Sequence, residues 1–153
     1  MKIKWPYWTK FVIAGQSEQE LVQSSVDAQQ RAYCIYSNFR VGAALRFPDG
    51  TIITGCNVEN SSYGLSICAE RTALVKAVSD GREMNFQAVA VTATTKAQMI
   101  SPCGACRQFI AEFNPDAKVY LHNTTDGQVV ITNMKHLLPS CFDLSAEHRA
   151  DNQ

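Results

Sequence analysis

The sequence predicts an α/β protein: a three-layer α/β/α sandwich around a mixed five-stranded sheet. Two observations carry this expectation. Five short apolar runs are bounded by turn signals, and segments with helix caps and helix breakers are interspersed among them, an order that puts helices against the faces of a sheet. The 153 residues suit one domain, and an apolar share of 46% is ordinary for a chain that buries a core without disulfides.

Residues 1–16 read as an aromatic arm in which Trp5, Tyr7, Trp8 and Phe11 are expected to pack, for example on a neighbouring subunit. Residues 17–153 read as a single domain, without repeats or linkers. Ser17-Glu18-Gln19-Glu20 has the form of a capping box, so a helix is expected from there to about Tyr33, burying Leu21, Val22, Val26 and Tyr33. Val41 to Phe47 and Thr51 to Val58 read as strands joined by the Pro48-Asp49-Gly50 turn. Cys68 opens a second helix, with Leu74, Val75 and Val78 facing inward and Gly81 as its stop. Gln87 to Ala93 is an apolar strand. A third helix runs from about Cys103 to Phe113 and ends at Asn114-Pro115, since proline cannot continue it. Lys118 to His122 and Gln128 to Thr132 are strands around the Asp126-Gly127 turn, and a short segment from Leu137 closes the domain.

Charge narrows the partners. Fourteen basic and fourteen acidic residues cancel, and no basic stripe is present, which argues against a nucleic-acid backbone as ligand and for a small molecule. Pro6 and Lys10 interrupt the N-terminal apolar run, and no stretch approaches the length of a membrane span, so neither export nor a membrane is expected. Six cysteines could form three disulfides. Their grouping reads more naturally as metal binding in a reducing compartment, which points to the cytoplasm.

That grouping is the most informative feature of the chain: Cys68-Ala69-Glu70, then Pro102-Cys103-Gly104-Ala105-Cys106. Cys103 and Cys106 are three apart, so on a first helical turn their sulfurs point the same way, and Cys68 opens the other helix. Three thiolates can hold Zn²⁺ tetrahedrally and leave one position for water. Glu70 is not needed as a ligand and is placed to move protons to and from that water. Three thiolates also give the ion a formal negative charge, which the two helix N-termini and Arg71 would offset. A lone C-x-x-C also arises in redox pairs and structural zinc knuckles. A closed structural site would need a fourth protein ligand, for which Cys34, Cys56, Cys141 and three histidines are available by count. Cys34 and Cys56 read as ordinary buried cysteines, and the histidines His122, His136 and His148 lack ligand spacing.

Together these residues resemble the zinc-dependent cytidine deaminases that act on free nucleosides, a pattern in which the all-cysteine ligand set is one variant. The resemblance runs from about Ser17 to Phe142 through Tyr36-Ser37-Asn38-Phe39-Arg40-Val41-Gly42-Ala43-Ala44, Gly55-Cys56-Asn57-Val58-Glu59-Asn60, Cys68-Ala69-Glu70-Arg71-Thr72-Ala73, Ser101-Pro102-Cys103-Gly104-Ala105-Cys106-Arg107-Gln108 and Leu137-Leu138-Pro139. It implies one zinc per subunit on Cys68, Cys103 and Cys106, with Glu70 as proton shuttle. It implies further that Phe39, Asn57 and Glu59 grip the nucleoside, the last two through a ribose hydroxyl, and that the Ala69 amide contacts the base. The family is typically a homotetramer with shared active sites, and Tyr63 and Phe142 match positions borrowed between subunits. Ile35 and Arg40 stand where many members have proline, and Arg40 is expected to alter the pocket rim. The implied reaction is hydrolytic deamination of cytidine and deoxycytidine. Other readings are an aminopyrimidine nucleoside antibiotic as substrate, a polynucleotide editor, a non-catalytic zinc module and a redox role for Cys103 and Cys106.

Overall fold

The computed structural model describes residues 10–11 by backbone alone, and residues 15–96 and 99–144. Trp5, Tyr7, Trp8 and His148, read above as packing residues or surface histidine, lie outside the described residues. The elements run β1 (Lys10–Phe11), α1 (Gln16–Gln29), β2 (Val41–Arg46), β3 (Ile52–Cys56), a 3₁₀ turn (Tyr63–Leu65), α2 (Ala69–Ser79), β4 (Ala88–Ala93), α3 (Gly104–Phe113), β5 (Lys118–Asn123), β6 (Gln128–Asn133) and α4 (Met134–Leu137). All five predicted strands are present, as β2 to β6. A sixth, the two-residue β1, lies within the segment read as an arm and pairs antiparallel with the β6 edge through Lys10–Val130 and Phe11–Val129.

The sheet order is β1-β6-β5-β4-β2-β3, antiparallel throughout except for the parallel pair β4–β5. Successive strand residues face opposite sides. Ala43, Leu45, Val89, Val91, Val119 and Leu121 face one core, with Ala69, Ala73, Leu74 and Ala77 of α2 and Ile110 of α3. Ala44, Ala88, Ala90 and Tyr120 face the other, against Leu21 and Val22 of α1. The three-layer sandwich is therefore realised, with small residues where helices lie closest.

Two glycines set those approaches. A Cβ on Gly42 would lie 2.0 Å from the Ser25 carbonyl oxygen and 2.4 Å from the Gln29 nitrogen, and one on Gly55 would lie 2.4 Å from the Ala73 nitrogen. All three are backbone atoms and cannot swing aside. Gly42→Ala should lift α1 from the sheet and cost about 1–3 kcal/mol, the usual range for overpacking. An unchanged urea midpoint for this variant would contradict the packing described.

Several local expectations are corrected. Helix α1 starts one residue before Ser17, with Gly15 as its N-cap and no side-chain cap bond, so the capping box does not form. Glu18, on the first turn, accepts a hydrogen bond from the Tyr120 hydroxyl at 2.8 Å. The helix ends at Gln29, leaving Tyr33 exposed and Val26 only half-buried, while Ser25 takes an interior position through bonds to the Val22 carbonyl and the Thr92 hydroxyl. On α2, Leu74 is buried as expected but Val75 and Val78 are exposed. The inward stripe is Ala69, Ala73, Leu74 and Ala77, and the backbone of Ala69 and Ala73 seats directly on Gly55. Gly81 does end the helix region, in the left-handed conformation at φ 73°.

Candidate metal centre

Topology brings the functional segments to one sheet edge. Strands β3 and β4 both pair antiparallel with β2, so they run in the same direction and the chain leaves both at the same end. There α2 follows β3 and α3 follows β4. The residues entering β2 lie at this edge too, since Val41 pairs with Ala93 and Gly42 with Cys56, at the ends of β4 and β3. Ligands of open α/β sheets bind outside the carboxyl ends of strands for this reason.

Cys68 is the N-cap of α2 and Cys103 the N-cap of α3, both in extended backbone, with Cys106 on the first turn of α3. Their carbonyls begin the helical ladders, accepting from the Thr72 and Arg107 amides at 3.0 Å each. The side chains are thereby left to face the meeting point of two positive helix ends. The three sulfurs lie within 4.8 Å of one another, and Cys68 Sγ is 3.9 Å from Cys103 Sγ. A tetrahedral zinc with bonds of about 2.3 Å requires sulfurs about 3.8 Å apart, so the donor set fits that ion. No fourth histidine, cysteine or carboxylate joins the cluster among the described residues. Cys34, Cys56 and Cys141 are free thiols elsewhere, Cys34 buried and the other two half-buried.

The Cys68 thiol is lowered to about 5, first by its interaction with Cys106, against opposing burial and with Arg71 also assisting, while Cys106 is pushed up. Arg71 Nη2 lies 3.7 Å from Cys68 Sγ and 3.4 Å from the Ser66 carbonyl. Glu70 is buried at 4% exposure. Burial raises its pKa above the ordinary carboxyl value, opposed by its own backbone amide, with the Cys68 charge adding to the rise.

An isolated bridge between Val58 and Ile67 brings the stretch holding Asn57 and Glu59 alongside the residue before Cys68. Asn57 and Glu59 lie past the end of β3 and both turn toward residues 36–41. Asn57 donates to the Phe39 carbonyl and accepts from the Val41 amide, each at 2.8 Å. Glu59 accepts from the Tyr36 and Ser37 amides at 2.9 and 3.2 Å and from the Ser37 hydroxyl. Its pKa is lowered, first by that hydroxyl. Ala69 opens α2, where amides lack intrahelical acceptors. Tyr63 and Phe142 are exposed, Tyr63 at 75%, and Tyr63 meets the Tyr36 ring edge-on at 5.9 Å. Arg40 is engaged elsewhere than expected: its guanidinium turns back to the Gln30 and Ala32 carbonyls at 2.9 and 3.3 Å and caps the end of α1. A helix C-terminus attracts a cation, which explains the choice.

Arg107 was not foreseen as a site residue. It donates to the Pro102 carbonyl (2.7 Å), the Ser101 hydroxyl (2.6 Å) and the Leu137 carbonyl (2.8 Å), fastening the segment that presents Cys103. Its place in the Ser101–Gln108 segment, one residue after Cys106, is the signal that could have found it.

Fold and centre together define a deaminase-type zinc domain. Residues 15–122 match the family model described as the cytidine and deoxycytidylate deaminase zinc-binding region. A cytidine deaminase of Halalkalibacterium halodurans is 50% identical over 125 residues, 81% of this chain and 92% of that protein. One from Sporosarcina psychrophila is 52% identical over 125 residues, 81% of this chain and 90% of that protein. The crystal structure of cytidine deaminase from Burkholderia pseudomallei superposes with a TM-score of 0.77 at 47% identity, covering 81% of this chain and 98% of that one. The chain belongs to the cytidine and deoxycytidylate deaminase zinc-binding family.

Proposed function

We propose that this protein hydrolyses the 4-amino group of cytidine and deoxycytidine, giving uridine or deoxyuridine and ammonia, as a step of pyrimidine salvage. The observation that carries the reading is the meeting of three cysteine sulfurs, with no fourth side-chain ligand among the described residues, beside the buried Glu70. Bound by Cys68, Cys103 and Cys106, zinc supplies the Lewis acidity that makes water a nucleophile at neutral pH. Glu70 takes a proton from the attacking water and delivers it to ring N3. It then carries a second proton to the amino nitrogen, which leaves as ammonia while the water oxygen stays on C4. The Ala69 amide holds the base and Phe39 packs on it, while Asn57 and Glu59 bind a ribose hydroxyl. Arg71 offsets the charge of the sulfurs.

The proposal includes a homotetramer in which Tyr63 and Phe142 reach a neighbour's site. An exposed apolar patch of Tyr33, Tyr36, Val58, Tyr63, Leu65 and Ile67 beside the centre supports it, since such a patch is what a partner surface covers. It also includes residues 1–16 as an N-terminal arm whose Lys10–Phe11 join the sheet of the catalytic domain 17–153, and a cytoplasmic setting, supported by the need of thiolate ligands for a reducing compartment. Among the described residues no helix is long and apolar enough to cross a membrane.

The deciding assay measures ammonia released from cytidine by purified protein before and after zinc chelation. Release that stops on chelation and returns with Zn²⁺ is expected. Stoichiometric zinc without ammonia release would instead mark a non-catalytic zinc module.

A further inference from the structure

We infer that Ser37 is a positioning residue that fixes the Glu59 carboxylate for sugar recognition and ties it to Phe39; the inference rests on the ribose-binding reading of Glu59. The Phe39 amide donates to Ser37 Oγ at 3.0 Å, and Ser37 Oγ donates to Glu59 Oε1. A hydroxyl has one proton, so the donor from Phe39 settles its direction: it must point at the carboxylate. The other carboxylate oxygen, Oε2, takes the Tyr36 and Ser37 amides. Of about four acceptor positions on a carboxylate, three are filled, and the remaining one is on Oε1. Ser37 thus selects the lone pair that stays available to a substrate hydroxyl. The same side chain connects the residue that holds the sugar with the residue that packs on the base.

Ser37 is exposed and Glu59 half-buried, so water competes for these bonds and their net contribution to folding is small. Between Ser37 and Phe39 the chain also passes through Asn38 at φ 55°, a left-handed conformation, closed by the Asn38 amide on the Cys34 carbonyl at 2.9 Å. A turn that adopts an uncommon backbone conformation to aim three donors at one carboxylate is ordering that carboxylate.

The test compares kcat/KM for cytidine with that for 2′,3′-dideoxycytidine, which lacks the sugar hydroxyls. In the unmodified protein cytidine should be favoured. Ser37→Ala should reduce that preference about tenfold through a higher KM for cytidine, the loss of one hydrogen bond to a charged group. Ser37→Thr, which keeps the hydroxyl, should restore most of it. Glu59→Gln is the control for the underlying reading. If Glu59→Gln lowers the preference and Ser37→Ala does not, the positioning role is overturned while ribose binding by Glu59 stands. If neither variant changes it, the ribose reading itself falls. Equal loss on both substrates in Ser37→Ala would reduce Ser37 to a structural turn residue and overturn the inference.

Discussion

Glu70→Gln should keep its zinc and lose turnover by about 10²–10⁴-fold, the range contributed by a positioned general acid and base. The substitution preserves shape, and the side chain is 4% exposed, so no cavity opens and α2 should remain seated. The chemistry changes completely. An amide cannot accept the proton of the attacking water, nor return one to N3 or to the departing nitrogen. Because Glu70 lies outside the sulfur cluster, metal content should stay at the unmodified level. KM should change little, since the ring and sugar contacts proposed for Phe39, Asn57 and Glu59 are untouched. Zinc analysis and single-turnover kinetics on the same sample decide the matter. Activity and zinc lost together would make Glu70 a structural support for the centre, and the proposed proton path would fail.

The contrast between Glu70 and Glu59 shows what the chain discloses as sequence. The centre was legible because its chemistry is written locally. Cys103 and Cys106 share a helical turn, and Glu70 follows Cys68 by two residues, so spacing alone limits where the groups can point. The five strands and the two-sided layering were legible for a similar reason, since turn signals and helix breakers are local. What spacing could not supply were bonds between segments 16 to 23 residues apart, such as Asn57 to Val41 or Glu59 to Ser37. These depend on which ends of β2 and β3 meet, and that is set by pairing. The errors on α2 have a different origin. Hydrophobic bulk nominated Val75 and Val78 for the core, whereas α2 turns Ala69, Ala73 and Ala77 inward and seats the backbone of Ala69 and Ala73 on Gly55. Arg40 is a third case: its destination, the end of α1, became visible only once that helix stopped at Gln29.

The second large effect is expected from Cys106→Ala, which should abolish both zinc binding and activity. Cys106 is fully buried, whereas Cys103 is exposed and Cys68 half-buried, so its sulfur is the one least replaceable by water. Alanine favours a helix at least as well as cysteine, so α3 itself should not suffer. What remains is a pair of sulfurs at the mouth of two helices, without the third donor that closes the tetrahedral base. Since metal that binds only the folded chain adds its binding energy to stability, the variant should melt below the zinc-loaded protein. It should melt close to the same protein after chelation, and chelator should shift its own melting temperature no further. Cys34→Ala, also a buried cysteine but outside the cluster, should keep zinc, activity and chelator sensitivity. If Cys106→Ala retained one zinc per chain through dialysis, or if Cys34→Ala lost it, the ligand set proposed here would be wrong, and the catalytic reading built on it would have to be abandoned.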